Sequence, residues 1–263
     1  MSKPASDTWS PSQRSAWWYQ KFAATTCHLV AGTFGRVRTL NAPPPIADDK
    51  PLIIASNHPS WWDPMVGLVA LLRYFPDRPA FVPIDPEGMN QHPIFPRVGF
   101  FPVAPNTARG ARSLLRHGRA ALETPGGLIW ITPEGRFVDP GQRPLHLKPG
   151  TAALATRVPN ATLLPATLDY RFGPNPRPDA RILFGQPIEA NNREPADVHE
   201  QLADNLTASL DRLAATPDDD PAWTTIFAPP DSITRRYYRL IKAYLSDPRA
   251  YDLMHLNGDA AHD

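Results

Sequence analysis

Apolar positions along this chain fall into two patterns, short unbroken runs and longer stretches with apolar groups at helical spacing. Unbroken runs occupy residues 52–55, 79–84, 99–103, 127–132, 161–170 and 180–184. Runs of this length bounded by Gly, Pro or charged residues predict strands covered on both faces. Helical spacing predicts helices at 12–37, 65–72, 106–123, 151–157 and 194–214. In the first of these, Trp17, Trp18, Phe22, Leu29 and Val30 alternate with Gln13, Arg14, Gln20 and Lys21. In the third, Ala108, Ala111, Leu114, Leu115 and Leu122 share a face among several arginines. Residues 1–10 read as a loose tail, 39–50 as a proline-stiffened connector, 85–96 as a loop and 217–221 as a solvated break.

Strands alternating with helices predict an α/β domain with a mixed, largely parallel sheet flanked by helices, extended at both ends by helical segments. The divisions expected are 1–45 for an N-terminal tail and helix, 46–215 for the α/β domain, and 216–263 for a C-terminal helical extension. In the last, Ile233, Tyr237, Leu240, Ile241, Tyr244 and Leu245 fall on one helical face, with Arg235, Arg236, Arg239 and Lys242 mostly elsewhere. Such a helix either packs on the domain or lies on an anionic bilayer. The tryptophans near residue 17 pose the same choice between core and membrane interface.

Composition narrows the function classes. With 263 residues and 42% hydrophobic content the chain can bury a sizeable core, and 33 prolines argue against a coiled coil or helical repeat. A net charge of +1 offers no general basis for nucleic-acid binding. The single cysteine, Cys27, excludes an internal disulfide and a zinc ribbon, and reads as a structural thiol. The polar first 20 residues carry no signal-peptide core, and no apolar run is long enough to span a bilayer. A cytoplasmic protein is the expectation.

Two stretches carry chemistry. Asn57-His58-Pro59-Ser60-Trp61-Trp62-Asp63 lies in the turn between the 52–55 strand and the following helix. A histidine with a carboxylate partner is a general base whose tautomer the partner sets. By itself the stretch also fits a helix start, with Ser60 or Asp63 as cap and Asn57 in turn geometry. Pro133-Glu134-Gly135-Arg136 follows the 127–132 strand, where glycine permits close backbone approach and Arg136 suits phosphate or carboxylate. Two such turns at strand ends are more informative than either.

In these residues the chain resembles the glycerolipid (lysophospholipid-type) acyltransferases related to bacterial 1-acylglycerol-3-phosphate acyltransferase. Residues 57–63 match the family's Asn-His-x-Ser-x-x-Asp, residues 133–136 resemble Pro-Glu-Gly-Thr-Arg without its threonine, and Leu163-Leu164-Pro165 resembles the fourth motif. Lys148-Pro149-Gly150 resembles the Lys-x-Gly that follows the third. The second motif departs: Asp85-Pro86-Glu87-Gly88-Met89 has no lysine, and Arg97 and Arg109 stand near but displaced. The resemblance covers about residues 52–170 and implies the glycerol-3-phosphate acyltransferase-like fold.

It also implies that His58 and Asp63 are catalytic and that Asn57, Ser60, Glu134, Gly135, Arg136 and Pro165 surround the substrates. The donor would be an acyl-CoA or acyl carrier protein thioester, with no metal or other cofactor. The acceptor would be a lipid reached peripherally at the inner face of the cell membrane. A lysophospholipid such as 1-acylglycerol-3-phosphate and a non-phosphate hydroxylated lipid (glycolipid, carotenoid derivative or aminolipid) both stay open as acceptors. So do a non-catalytic lipid-binding protein of the same fold and, more remotely, a metal-dependent hydrolase using His58 and Asp63 as ligands, with His92, His117 and His146 available but without metal-ligand spacing.

Overall fold

A computed structural model describes residues 9–173 and 175–229. Its frame is a sheet of nine strands among the described residues. The central four are β2 (Leu52–Ser56), β3 (Ala80–Ile84), β5 (Leu128–Ile131) and β6 (Thr162–Arg171), joined to β4 (Phe100–Pro102) at one side. They run in the order β4-β3-β5-β2-β6, all parallel. Beyond β6, β7 (Asp179–Phe184) returns antiparallel, β1 (Val37–Thr39) lies parallel to β7, and β9 (Thr224–Phe227) closes that side antiparallel to β1. The two-residue β8 (Ile188–Glu189) pairs with β6 from off this path. The mixed, largely parallel α/β sheet is the expected class.

The pleat explains why the central strands read as unbroken apolar runs. Successive side chains point to opposite faces, so a strand covered on both sides is apolar throughout. In β2, Ile53 and Ala55 join one core cluster while Leu52 and Ile54 join the other. The first cluster holds Leu114 and Leu122 of α5 (Ala108–Leu122), Ala152 and Leu154 of α6 (Gly150–Ala155), and Val198, Leu202 and Leu206 of α7 (Pro195–Ala215). The second holds Val66, Val69 and Ala70 of α2 (Asp63–Tyr74) and Val30 of α1 (Ala16–Thr33). The α7 triad recurs every fourth residue, which lines its side chains along one stripe.

Several expectations change. Helix α1 stops at Thr33 rather than 37: Phe34 turns to an extended conformation (φ −98°, ψ 149°), and the residues after it enter the sheet as β1. Together with β9, β1 carries the sheet beyond the 46–215 span at both ends, and the described residues through 228 form one compact unit. Within the supposed tail, Trp9 is buried, its ring 5.3 Å from Phe101 and 5.9 Å from Phe81. The supposed loop at 85–96 holds α3 (Pro86–Gln91) and the start of α4 (Phe95–Val98). Asp85 caps the first by accepting from the Glu87 N–H at 2.9 Å, with Pro86 set ready for the first helical position.

The break at 217–221 is anchored as well. Its Asp218 lies 3.5–3.6 Å from the guanidinium groups of Arg38 and Arg181, whose side chains are almost wholly buried. Both guanidinium groups stack on Trp223, at 4.8 and 4.5 Å, and Arg181 donates to the carbonyls of Leu213 and Thr216. Buried cations must be paired and hydrogen-bonded, and here that requirement returns the chain from α7 to the sheet. Of α1, Ala23, Thr26 and Val30 are buried, Trp18 and Phe22 pack on Val98 and Phe100, and Trp17 is exposed. The basic segment expected at 232–245 lies outside the described residues.

The start of α5 depends on one glycine. Thr107 accepts from the Gly110 N–H at 2.9 Å, and a Cβ at Gly110 would overlap the Ala104 carbonyl oxygen. Because the obstacle is backbone, Gly110→Ala should lower unfolding stability by about 1–3 kcal/mol in a urea titration. Stability equal to the parent would show that this turn yields without cost.

Candidate active site

The site forms where β2 and β5 end on the same edge of the sheet. As β2 ends, Ser56 accepts from the Trp130 indole N–H at 2.9 Å, tying it to β5. Asn57 follows, buried, and closes a two-point clamp on β6: its amide donates to the Leu168 carbonyl at 2.9 Å and its carbonyl accepts from the Leu168 N–H at 2.7 Å. The chain then turns through His58-Pro59-Ser60 and enters α2 at Asp63.

The His58 imidazole and the Asp63 carboxylate meet at 2.6 Å, Nδ1 to Oδ2. Facing a carboxylate, Nδ1 carries a proton, which leaves Nε2 as the acceptor. Asp63 is fully buried, whereas the His58 side chain is 18% exposed. Oδ2 also accepts from the Ser60 N–H at 3.0 Å, and Oδ1 accepts from the Tyr170 hydroxyl at 2.6 Å. Neither Ser60 nor Asp63 caps α2 with its side chain: Trp62 holds the cap position, and the Ser60 hydroxyl accepts from the Trp62 N–H.

The loop after β5 grips the same histidine by its backbone. Glu134 accepts from the His58 N–H at 2.7 Å, and the Val138 N–H donates to the His58 carbonyl at 2.9 Å. Phe137 sets its ring 4.5 Å from the imidazole. Burial pushes the Glu134 carboxyl above its ordinary range, partly offset by the His58 N–H it accepts.

His58, Gly135 and Arg136 line a cavity of about 820 Å³. Its walls are mainly apolar, with Phe22 from α1, Leu68 and Leu71 from α2, Val82 from β3, Leu114 from α5 and Trp130 from β5. Gly67 widens it: a Cβ there would stand 3.0–3.2 Å from the Trp130 ring. Gly135 adopts φ +61°, which lets the Lys148 ammonium lie against its backbone. Arg136 and Lys148 both line the cavity, and the Arg136 charge acts on the Glu134 carboxyl, drawing it back toward its ordinary range.

The predicted site residues therefore separate. His58, Asp63, Glu134, Gly135 and Arg136 converge. Asn57, Ser60, Glu134 and Pro165, expected around the substrates, do not line this cavity. Asn57 spends both amide groups on Leu168, Ser60 shapes the turn, and Glu134 holds the His58 backbone. Pro165 sits inside β6 opposite Ala55, its carbonyl accepting from the Gly185 N–H. Tyr170 and Trp130 were missed. Tyr170 lies 107 residues from Asp63, so no local spacing signals the contact. Among the described residues, no three His, Cys, Asp or Glu side chains converge to hold a metal ion.

Fold and site together define an α/β protein in which a His–Asp pair opens onto a largely apolar cavity. The chain belongs to the Acyltransferase family, which matches residues 37–169, and the enzyme is an acyltransferase. Among solved structures it is similar to the 1-acyl-sn-glycerophosphate (LPA) acyltransferase PlsC from Thermotoga maritima. That similarity is 17% in sequence, covers 75% of this chain and 81% of the other, and has a TM-score of 0.49. A search of the curated proteins finds no match.

Burial of Glu134 has a measurable sign. Its raised folded-state pKa means that its contribution to stability is greatest at acid pH and is lost as pH rises through that value. Glu134→Gln keeps an oxygen that accepts from His58 and removes the buried charge. Urea unfolding of both proteins at acid and neutral pH should show the variant gaining on the parent as pH rises; a gap that does not change with pH would contradict this.

Proposed function

We propose that the enzyme moves a fatty acyl group from an acyl thioester, carried on CoA or acyl carrier protein, to a hydroxyl of a lysophospholipid-type acceptor. What carries this reading is the placement of His58, backed by buried Asp63, at the wall of a cavity with apolar depth for a chain. His58 Nε2 takes the hydroxyl proton as the acceptor oxygen attacks the thioester carbonyl. The tetrahedral intermediate then expels the thiolate, which leaves with the proton held on the imidazolium, while Asp63 steadies the ring throughout. The products are the acylated lipid and the free thiol.

Arg136 and Lys148 favour an anionic acceptor. Two cations lining one cavity suit a phosphate. They supply charge that the second motif lacks, since Asp85 stands at the cavity in that region. Arg136→Ala should raise KM for 1-acylglycerol-3-phosphate about tenfold while leaving KM for the acyl donor within about twofold, as expected for loss of a charge-assisted contact. An unchanged acceptor KM, or preferred acylation of a neutral hydroxylated lipid, would instead support the non-phosphate acceptor class.

A lipid acceptor implies contact with a bilayer surface, and no helix among the described residues is long and apolar enough to cross one. Trp61 and Phe137, 62% and 58% exposed, flank His58 and supply rings suited to the interface. The assay for the whole reading is thiol release from a long-chain acyl-CoA or acyl carrier protein thioester with lipid acceptors. His58→Ala should lose roughly 10²–10⁴-fold in rate while keeping the fold, the usual scale for a general base. Full turnover by that variant would remove His58 from the mechanism.

A further inference from the structure

Asp63 is tied not only to His58 but also to a residue of β6, the strand paired with β2. Tyr170 lies near the end of β6, and its hydroxyl donates to Oδ1 of Asp63 at 2.6 Å, the length of a charge-assisted O–H···O⁻ bond. Burial and the adjoining Asp63 charge push this phenol well above the usual tyrosine range, so it remains a donor. Its ring is held at 5.5 Å from Phe34, which in turn stacks edge-on against Trp62 of the catalytic turn.

The contact is built rather than incidental. Leu168 and Tyr170 share one face of β6, two residues apart, and Leu168 is the residue that Asn57 clamps at two points. The clamp sets the register between the catalytic turn and β6, which delivers the Tyr170 hydroxyl to the carboxylate. With Oδ1 occupied by Tyr170 and Oδ2 by Ser60 N–H and His58 Nδ1, the carboxylate has a donor on each oxygen.

We propose that Tyr170 is a positioning residue for the base: by holding Oδ1 it fixes the carboxylate plane that presents Oδ2 to His58. The proposal rests on the general-base reading of His58. Tyr170 does not touch the cavity wall, so it acts through Asp63 and not on substrate. Without the hydroxyl, the carboxylate keeps less support for its charge, pulls harder on the Nδ1 proton and is free to rotate.

Tyr170→Phe keeps the ring and removes only the donor. In the full-length enzyme kcat should fall roughly tenfold, a scale set by misorientation of a catalytic group, while KM for acyl-CoA stays within about twofold. The low-field proton resonance of His58 Nδ1–H should shift or broaden relative to the parent. A tyrosine that merely satisfies a buried hydroxyl would move neither readout. An unchanged kcat, or a resonance unchanged in position and intensity, overturns the proposal. His58→Ala, assayed in parallel, tests the general-base reading separately: if it retained activity that reading would fail, while the resonance would still decide the Tyr170 contact.

Discussion

A carboxylate removed from water must be surrounded by donors, and this structure is arranged to meet that requirement at Asp63. Its three hydrogen-bond donors come from a histidine and a backbone amide in the turn and from a tyrosine on β6. Supplying them forces the 57–63 turn to sit against β6, which the Asn57 clamp on Leu168 accomplishes. Helix α2 begins at Asp63 itself, so the helix that lines the cavity starts at the residue that meets the His58 ring. Unpaired buried charge is costly, so losing one donor should be felt through the whole turn.

The second constraint is space. On the proposed reaction, an acyl chain needs an apolar channel, yet a base that serves it must remain hydrated enough to exchange protons. The two demands are reconciled by stacking the polar and apolar parts along the sheet edge. Polar contacts gather on Asp63, while Gly67, packed against the Trp130 ring, lines the apolar cavity. Glu134 holds the histidine from its backbone, which leaves the ring nitrogen clear. Arg136, which also acts electrostatically on Glu134, and Lys148 place positive charge in the same cavity.

Strands of the central sheet were legible because they are apolar on both faces, and the His–Asp pair was legible because a five-residue spacing and a helix start bring it together locally. Contacts that depend on topology were not. Tyr170 reads as an ordinary strand residue until β6 is set beside β2, and Asn57 reads as a turn former until Leu168 is its neighbour. The short strands β1 and β9 have too few residues to show a period, and β1 includes Arg38, whose buried charge is explained only by Asp179, Asp218 and Trp223. Helices α3 and α4 were hidden by prolines that look like loop formers but occupy first-turn positions, where a missing N–H does no harm.

The central claim is that one cavity receives the acyl chain and presents its reacting carbonyl to His58. A crystal structure with a non-hydrolysable long-chain acyl-CoA analogue tests this most directly. The account predicts the chain lying along the apolar walls between α1, α2 and β3, with the carbonyl carbon beside His58 Nε2 and room for an acceptor oxygen between them. An analogue bound elsewhere, or with its carbonyl remote from His58 while the cavity stayed empty, would contradict it.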